Sequence, residues 1–165
     1  KAVKQLSFFD EMQIGIGVPE LACAERIAKQ GFKVVFSGQA SDEIFCGYTN
    51  YARILEKKNY KAVDDEIWFS LSRMWSRNFY RDDLMIAAHA LELRLPLISK
   101  NFLKEAMAIP ASQKIKSSKD EIRKHPIREL AKLYGVPSSI LLKPKKAMQY
   151  GSGVQKIVSK LFKGN

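Results

Sequence analysis

The segment of residues 19–38 constrains the fold more than any other, because a helix, a glycine, a short apolar strand and a Ser-Gly turn follow one another in it. The apolar residues of ELACAERIAKQ (20–30) recur at helical spacing, with Pro19 near the predicted first turn and Gly31 just past the predicted end. The run FKVVF (32–36) is typical of a buried strand in a mostly parallel sheet. This order predicts an α/β unit, a class in which ligands gather at the carboxyl ends of strands.

The rest of the chain predicts helices. Five segments carry helix-like apolar spacing: Tyr48–Lys57, Lys61–Asn78, Asp82–Leu91, Asn101–Ala108 and Ile122–Leu133. Ser99 is a predicted N-cap, and so is Ser118, with Glu121 completing a capping box. Because one strand cannot satisfy its own backbone groups, we expect further strands either within residues 1–18 or outside this chain.

Length and composition predict one folded domain. The chain has 165 residues, and its hydrophobic share of 46% is the usual globular one, which excludes a disordered or fibrous class. No apolar run is long enough for a membrane span and no signal peptide is evident, so we expect a cytoplasmic protein without a membrane partner. Cys23 and Cys46 are too few and too far apart for a disulfide framework or a metal knuckle. The start at Lys1 leads us to expect a piece of a longer polypeptide.

The net charge of +11 favours a partner that carries phosphate, because a basic surface attracts anions. Nucleic acid, a nucleotide and a merely solvated basic surface all agree with it. Familiar phosphate and metal motifs do not narrow the choice. Gly15-Ile16-Gly17 lacks the third glycine of a dinucleotide motif, no P-loop sequence occurs, and His89 and His125 have no neighbours at zinc-ligand spacing.

The stretch VVFSGQASDEIF (34–45) is a candidate phosphate site. Ser37 and Gly38 end the predicted strand and expose successive backbone N–H groups, while Asp42 and Glu43 lie within one turn of them. Donors and carboxylates together suit a magnesium pyrophosphate, with Asp42 holding the metal. The alternative is that Asp42 simply caps a helix.

The stretch KPKKAMQYGSG (143–153) is a second candidate. Pro144 stiffens the chain, and the following glycines let the backbone approach a ligand. Its three lysines could steer a triphosphate and stabilise the charge that develops on phosphorus, or they could form a solvated basic loop before a C-terminal helix. Between the two candidates, the charges of RDD (81–83) and ELR (92–94) predict salt bridges of the scaffold.

Three segments in this order resemble the synthetase domain of asparagine synthetases and their relatives, including β-lactam synthetases: SGQASDEIFCGY (37–48), RDDLMIAAHALELRLPL (81–97) and KPKKAMQYGSG (143–153). The resemblance covers about residues 15–153 but only the later part of the family domain, because the family's S-G-G-x-D-S pyrophosphate loop does not occur in this sequence. It implies that residues 1–165 are the C-terminal portion of such a domain, with that loop upstream or on a separate chain.

The resemblance implies an adenine-nucleotide-binding, PP-loop-like, doubly wound α/β fold that is mostly helical in its C-terminal half. It also implies ATP and magnesium as cofactors and a carbon–nitrogen ligase that adenylates a small carboxylate before an amine displaces AMP. By the family's motifs, Ser37, Gly38 and Gln39 would contact the nucleotide. Asp42 would bind the metal. Lys145, which keeps six residues to Gly151, would be the catalytic lysine. The missing half of the domain or a glutaminase domain would be the protein partner.

Four departures from the family pattern stand near these motifs. Gln39 replaces a glutamate of the bacterial asparagine synthetases, Ala40 and Cys46 each replace a glycine, and PLIS (96–99) replaces PFLD. Gln39 argues against aspartate as the substrate, because a neutral amide cannot repeat the charge or proton chemistry of a carboxylate.

A catalytically inactive, synthetase-like module that binds RNA or another anion is the alternative, and Gln39 and the missing loop favour it. The aromatic residues argue against this alternative. RNA-binding surfaces interleave basic residues with exposed aromatic residues, whereas the helical spacing predicts core positions for Trp68, Trp75 and Phe79. We therefore expect a nucleotide partner and no nucleic acid.

Overall fold

The computed structural model describes residues 10–163. The helices of this part are α1 (Glu11–Lys29), α2 (Ser41–Ile44), α3 (Thr49–Lys57), α4 (Tyr60–Met74), α5 (Tyr80–Ala87), α6 (Lys100–Ala108), α7 (Ala111–Lys114), α8 (His125–Leu133), α9 (Ser138–Leu141), α10 (Met148–Gly151) and α11 (Val154–Lys163). A π-helical stretch (Trp75–Phe79) joins α4 to α5, and a 3-10 turn (Pro96–Ile98) precedes α6. The strands are β1 (Val34–Phe36) and β2 (Glu92–Arg94). Within residues 10–163, no helix is both long and apolar enough to cross a membrane.

The chain divides into two compact units. Among the described residues, the sheet unit comprises residues 10–37, Trp75–Arg94 and residues 146–163. The helical unit comprises Gly38–Met74 and Leu95–Lys145.

A two-stranded parallel sheet lies in the sheet unit, as an α/β protein requires. Val35 of β1 lies opposite Leu93 of β2, and the two flanking pairs are in the same register. The salt bridge predicted for residues 92–94 is present, because Glu92 and Arg94 form an ion pair (2.8 Å). The prediction was incomplete, because it did not include the strand to which both residues belong. Three residues are too few for a period of two to stand out in a sequence. Of the region 1–18 where further strands were expected, residues 11–18 belong to α1 and residues 1–9 lie outside the described part.

Helix α1 begins earlier than its apolar spacing predicted. The Asp10 side chain accepts the backbone N–H groups of Met12 (2.8 Å) and Gln13 (3.1 Å), so the cap lies well before Pro19. Pro19 is therefore inside the helix and not in its first turn. The end was predicted correctly, because Gly31 follows α1 with a left-handed φ of 84°.

Within residues 10–163, two of the apolar clusters lie in the sheet unit. The first joins α1, α5 and α11 through Ile14, Leu21, Met85 and Val158. The second packs α1 and α5 against the sheet through Ala24, Ile86 and Leu91, with Val35 and Leu93 half-buried beside them.

Buried charges also link α1 to α5, as the RDD pattern predicted. The buried Arg81 guanidinium lies 3.3 Å from Glu20 Oε2, donates to Gln13 Oε1 (2.7 Å) and pairs with Asp82. Burial, together with the Asp82 carboxylate, raises the pKa of Glu20 to about 8. The two carboxyl groups therefore share one guanidinium, which favours a proton on one of them.

The core of the helical unit is formed by α3, α4 and α7. Its buried members include Tyr51, Val63, Ile67, Ala111 and Ile115. The predicted helices 48–57, 61–78 and 101–108 correspond closely to α3, α4 with its π-helical extension, and α6.

The prediction that Trp68 and Trp75 occupy core positions was wrong. Trp68 is 59% exposed and Trp75 is 70% exposed. Helix α4 buries Val63, Ile67 and Met74. Trp68 is the next residue after Ile67 along the chain, so its side chain leaves the helix on a different side from the buried face. Trp75 begins the π-helical stretch. The extra residue in that turn shifts the following side chains around the helix axis, so the α-helical spacing that predicted a buried Trp75 does not apply there.

Of the two predicted N-cap residues, Ser99 was confirmed in position and Ser118 was wrong. Ser99 is the N-cap residue of α6, although its side chain makes no capping hydrogen bond. No helix starts at Ser118, and α8 begins only at His125. The Asp120 carboxylate accepts the N–H groups of Lys116, Ile122 and Arg123 and contacts the His125 ring (2.7 Å), which stabilises a turn where a capping box was expected. Burial opposes ionisation of Asp120, but these donors lower its pKa on balance.

Candidate functional site

The turn that follows β1 differs in part from the predicted phosphate cradle. The Ser37 N–H donates to the Arg94 carbonyl (3.0 Å), so this N–H serves the sheet and is not turned to a ligand. In the helical unit, the Gly38 carbonyl accepts from the Ser41 N–H (3.2 Å). Ala40 lies between them with a left-handed φ of 78° and turns the chain into α2. Gln39 is half-buried in this turn.

Asp42 lies in the first turn of α2, and two lysines from distant parts of the helical unit meet its carboxylate. Lys124 Nζ lies 2.8 Å from Oδ1, and Lys145 Nζ lies 3.3 Å from Oδ2. The position before α2 belongs to Ala40, so the alternative that Asp42 is merely a capping residue was wrong. The fold thus brings together Asp42 and Lys145, which the sequence motifs placed in separate candidates.

Lys145 differs from the other two lysines of its motif. It lies in the irregular segment between α9 and α10, and its side chain is only 17% exposed because it turns in toward Asp42. Lys143 and Lys146 are both exposed. Of the three, Lys145 has the surroundings that a positioned lysine requires, whereas Lys143 and Lys146 fit a solvated basic loop.

Sequence reasoning missed Lys124. Its backbone and that of Arg123 have left-handed φ values of 57° and 48°, which are uncommon for side chains other than glycine and cost free energy. Arg123 Nε donates to the Gly47 carbonyl (3.1 Å), and Lys124 Nζ donates to Ser41 Oγ (3.2 Å). The geometry depends on the turn around Asp120, so no local pattern in the sequence could have marked Lys124.

Gly47 lets Asp42 and Lys124 approach each other. A Cβ atom at position 47 would lie 1.8 Å from Asp42 Oδ1 and 2.4 Å from Lys124 Cε. A side chain there must displace both groups or shift the backbone. Cys46, just before it, is buried with a left-handed φ of 59°, and so occupies a conformation that glycine adopts more easily.

The residues present fit a magnesium ion only in company with phosphate. The Asp42 Oδ1 atom is buried and lies 2.8 Å from Lys124 Nζ, but it accepts no hydrogen bond of good geometry. A lone pair of this oxygen could therefore bind a cation. Between residues 10 and 163, no three acidic, His or Cys side chains cluster as a metal site would require. Two ammonium groups around one carboxylate leave a positive balance, so the anion of a triphosphate would have to supply the remaining charge and oxygen ligands.

The sequence matches the asparagine synthase family model over residues 3–61 and 55–163. It is 31% identical over 192 aligned residues to the putative asparagine synthetase [glutamine-hydrolyzing] 1 of Methanocaldococcus jannaschii, which covers 99% of this chain and 35% of that protein. It is 32% identical to the asparagine synthetase domain-containing protein 1 of Mus musculus (87% of this chain, 23% of that protein). It is 27% identical to asparagine synthetase B [glutamine-hydrolyzing] of Escherichia coli (92% and 26%). The chain thus spans about a third or less of the length of these relatives.

Proposed function

This chain belongs to the asparagine synthase family, and from that premise we propose that it is part of an ATP-dependent carbon–nitrogen ligase. In this reaction a substrate carboxylate attacks the α-phosphorus of ATP, pyrophosphate leaves, and an amine then displaces AMP to form an amide. The meeting of Asp42, Lys124 and Lys145 is the observation that carries the proposal, because phosphoryl and nucleotidyl transfer depend mainly on positioned charge.

In the proposed mechanism, Lys145 contacts the phosphate groups and stabilises the negative charge that develops as pyrophosphate leaves. Its ammonium group is already held at Asp42 by an ion pair, so little reorganisation is needed. Asp42 would hold magnesium, which supplies charge neutralisation on the phosphate oxygens. Ser37, Gly38 and Gln39 would contact the nucleotide; for Ser37 this contact uses its side chain, because its N–H is bonded to Arg94.

The proposal includes a larger catalytic domain. We propose that this chain is the C-terminal portion of a PP-loop-like, doubly wound domain whose S-G-G-x-D-S segment lies on another segment or chain. A two-stranded parallel sheet supports this, because parallel strands normally occur in larger sheets that are covered on both faces. The chain alone would then bind ATP and magnesium weakly and would be inactive.

The substrate and partners follow from the same premise. Two relatives are described as glutamine-hydrolyzing, so a glutaminase domain that delivers ammonia is the proposed partner, and amino-acid biosynthesis in the cytoplasm is the proposed setting. Gln39 lacks a carboxylate, and we therefore propose a small carboxylate other than aspartate as the acceptor.

A binding module for RNA is the second candidate, and one observation favours it. Trp68 and Phe69 are exposed on α4, and the Arg73 guanidinium lies 5.0 Å from the centre of the Phe69 ring. Proteins that bind single-stranded nucleic acid combine basic side chains with exposed aromatic side chains on which the bases stack.

Pyrophosphate release by the complete protein tests the proposal. The protein is incubated with magnesium ATP, ammonia and each member of a panel of small carboxylic acids, and pyrophosphate and AMP are measured. Formation of both products with one acid, and with aspartate inactive, supports the proposal. Absence of pyrophosphate with every acid, together with RNA binding that weakens steeply as salt rises, would favour the second candidate.

A further inference from the structure

The Tyr48 side chain lies directly beneath the Lys145 ammonium. Lys145 Nζ is 5.0 Å from the centre of the Tyr48 ring and 3.3 Å from Asp42 Oδ2. A cation over the face of an aromatic ring is attracted by the negative potential of that face. Lys145 is thus held from two directions, by a carboxylate and by a ring.

The Tyr48 ring is itself held on several sides. Its hydroxyl donates to Glu43 Oε1 (2.8 Å), and Glu43 is almost fully buried. Tyr51 stacks nearly parallel to it, with ring centres 6.3 Å apart, and the Tyr51 hydroxyl donates to the Glu43 carbonyl (3.2 Å). Tyr51 belongs to the core of the helical unit, so the ring of Tyr48 is tied to rigid structure.

Lys145 needs such support, because its own backbone gives little. It lies outside any helix or strand, on a segment between α9 and α10. A lysine side chain has four rotatable bonds, and fixing them costs conformational entropy that its contacts must offset. The Asp42 carboxylate cannot provide this alone, because it is shared with Lys124 and, in the proposed function, with a metal ion.

We infer that Tyr48 is a positioning residue for Lys145: its ring face, oriented by Glu43 and Tyr51, holds the ammonium group in place together with the Asp42 carboxylate. The inference rests on the proposed function for the catalytic consequence, but the contact between ring and lysine is a property of this chain. In this role Tyr48 acts through Lys145.

Nuclear magnetic resonance of the full 165-residue chain tests the contact itself. The Lys145 Cε protons, assigned by comparison with Lys145→Arg, are expected upfield of those of the exposed Lys146, because they lie over an aromatic ring. Tyr48→Phe should keep this shift and Tyr48→Leu should abolish it. Tyr134→Leu, at an exposed tyrosine of the same unit, should leave it unchanged. Lys145 resonances that coincide with those of Lys146 in the native chain would overturn the inference.

Kinetics of the complete protein test the positioning role. Phenylalanine and 3,4,5-trifluorophenylalanine have nearly the same shape, but fluorine weakens the negative potential of the ring face. We expect the fluorinated variant at position 48 to show a kcat about threefold below that of Tyr48→Phe with the KM for ATP unchanged, a loss of the size that one such contact gives. Equal kcat values would overturn the role. If the native complete protein releases no pyrophosphate, the proposed function fails, and the resonance experiment still decides whether Tyr48 holds Lys145.

Discussion

Gly47 lies so close to Asp42 that a Cβ atom there would be only 1.8 Å from the carboxylate oxygen Oδ1. Gly47 also faces Lys124, and its carbonyl accepts from Arg123. The backbone at this glycine therefore sets where the acid and one of its two lysines meet.

Gly47→Ala should displace Asp42 and remove pyrophosphate release from the complete protein. We expect it to lower the free energy of unfolding by about 1–3 kcal/mol, because an added methyl group in a packed site forces its neighbours to shift. Urea denaturation of the chain measures the stability. Gly151→Ala is the matched control, since nothing lies within 4 Å of its added Cβ atom. A Gly47→Ala variant as stable as the native chain would contradict the close packing at Asp42.

The sequence was sufficient for the parts of the fold that depend on long local patterns. The apolar spacing of residues predicted helix α4 and strand β1. Gly31 marked the end of α1, because glycine adopts a left-handed conformation easily. The three-residue strand β2 was missed, because its pairing with β1 depends on a partner far away in the chain. The exposure of Trp68 was missed for a related reason, since helical spacing alone does not decide which face of α4 is buried.

The residues of the candidate site were likewise predicted only in part from the sequence. Asp42 and Lys145 could be named from motifs that resemble a family, whereas their distance from each other could not. Lys124 had no motif, because it reaches Asp42 through two consecutive left-handed residues that end the Asp120 turn. Side chains that act through tertiary geometry, such as Tyr48 under Lys145, are found only when the fold is known.

Lys114 is fully buried, and its Nζ has no hydrogen-bond partner within the described residues, so it should destabilise the helical unit. Burial lowers its pKa from 10.5. Because the folded chain binds this proton less tightly than the unfolded chain, Lys114 lowers the free energy of unfolding at every pH below about 10.5. This loss of stability grows as the pH falls toward the lowered pKa of the folded chain. Lys114→Met, of similar volume, should raise the free energy of unfolding at pH 7 by about 1–3 kcal/mol.

Denaturation of Lys114→Met at several pH values measures this effect, and its advantage over the native chain should shrink as pH approaches 10.5. Lys104→Met, at an exposed position of α6, should change stability by less than about 0.5 kcal/mol. A destabilised Lys114→Met variant would mean that the buried ammonium group has a partner.

Glu20 should make the sheet unit less stable in alkaline solution. Its pKa is raised from 4.5 to about 8 by burial and by Asp82. A raised folded pKa contributes stability that is fully present below pH 4.5 and is lost as pH rises through 8. Glu20→Gln stays neutral, so at about pH 9 it should be more stable than the native chain by roughly 2 kcal/mol.

Thermal unfolding of the native chain and Glu20→Gln between about pH 4 and pH 9 measures this difference. Glu25→Gln is the control, because Glu25 lies on the same helix in an exposed pair with Lys29. Parallel pH profiles for the native chain and Glu20→Gln would contradict a protonated carboxyl group beside Arg81.

In the proposed mechanism, Lys145 is held at Asp42 and stabilises the departing pyrophosphate, so replacing Lys145 by alanine should remove this stabilisation. In the complete protein, Lys145→Ala should reduce carboxylate-dependent pyrophosphate release by about 100-fold or more while calorimetry shows ATP binding largely intact, because the lost interaction belongs to the transition state. Lys146→Ala, at the exposed neighbour, should have a mild effect. Normal pyrophosphate release by Lys145→Ala would remove Lys145 from the proposed mechanism.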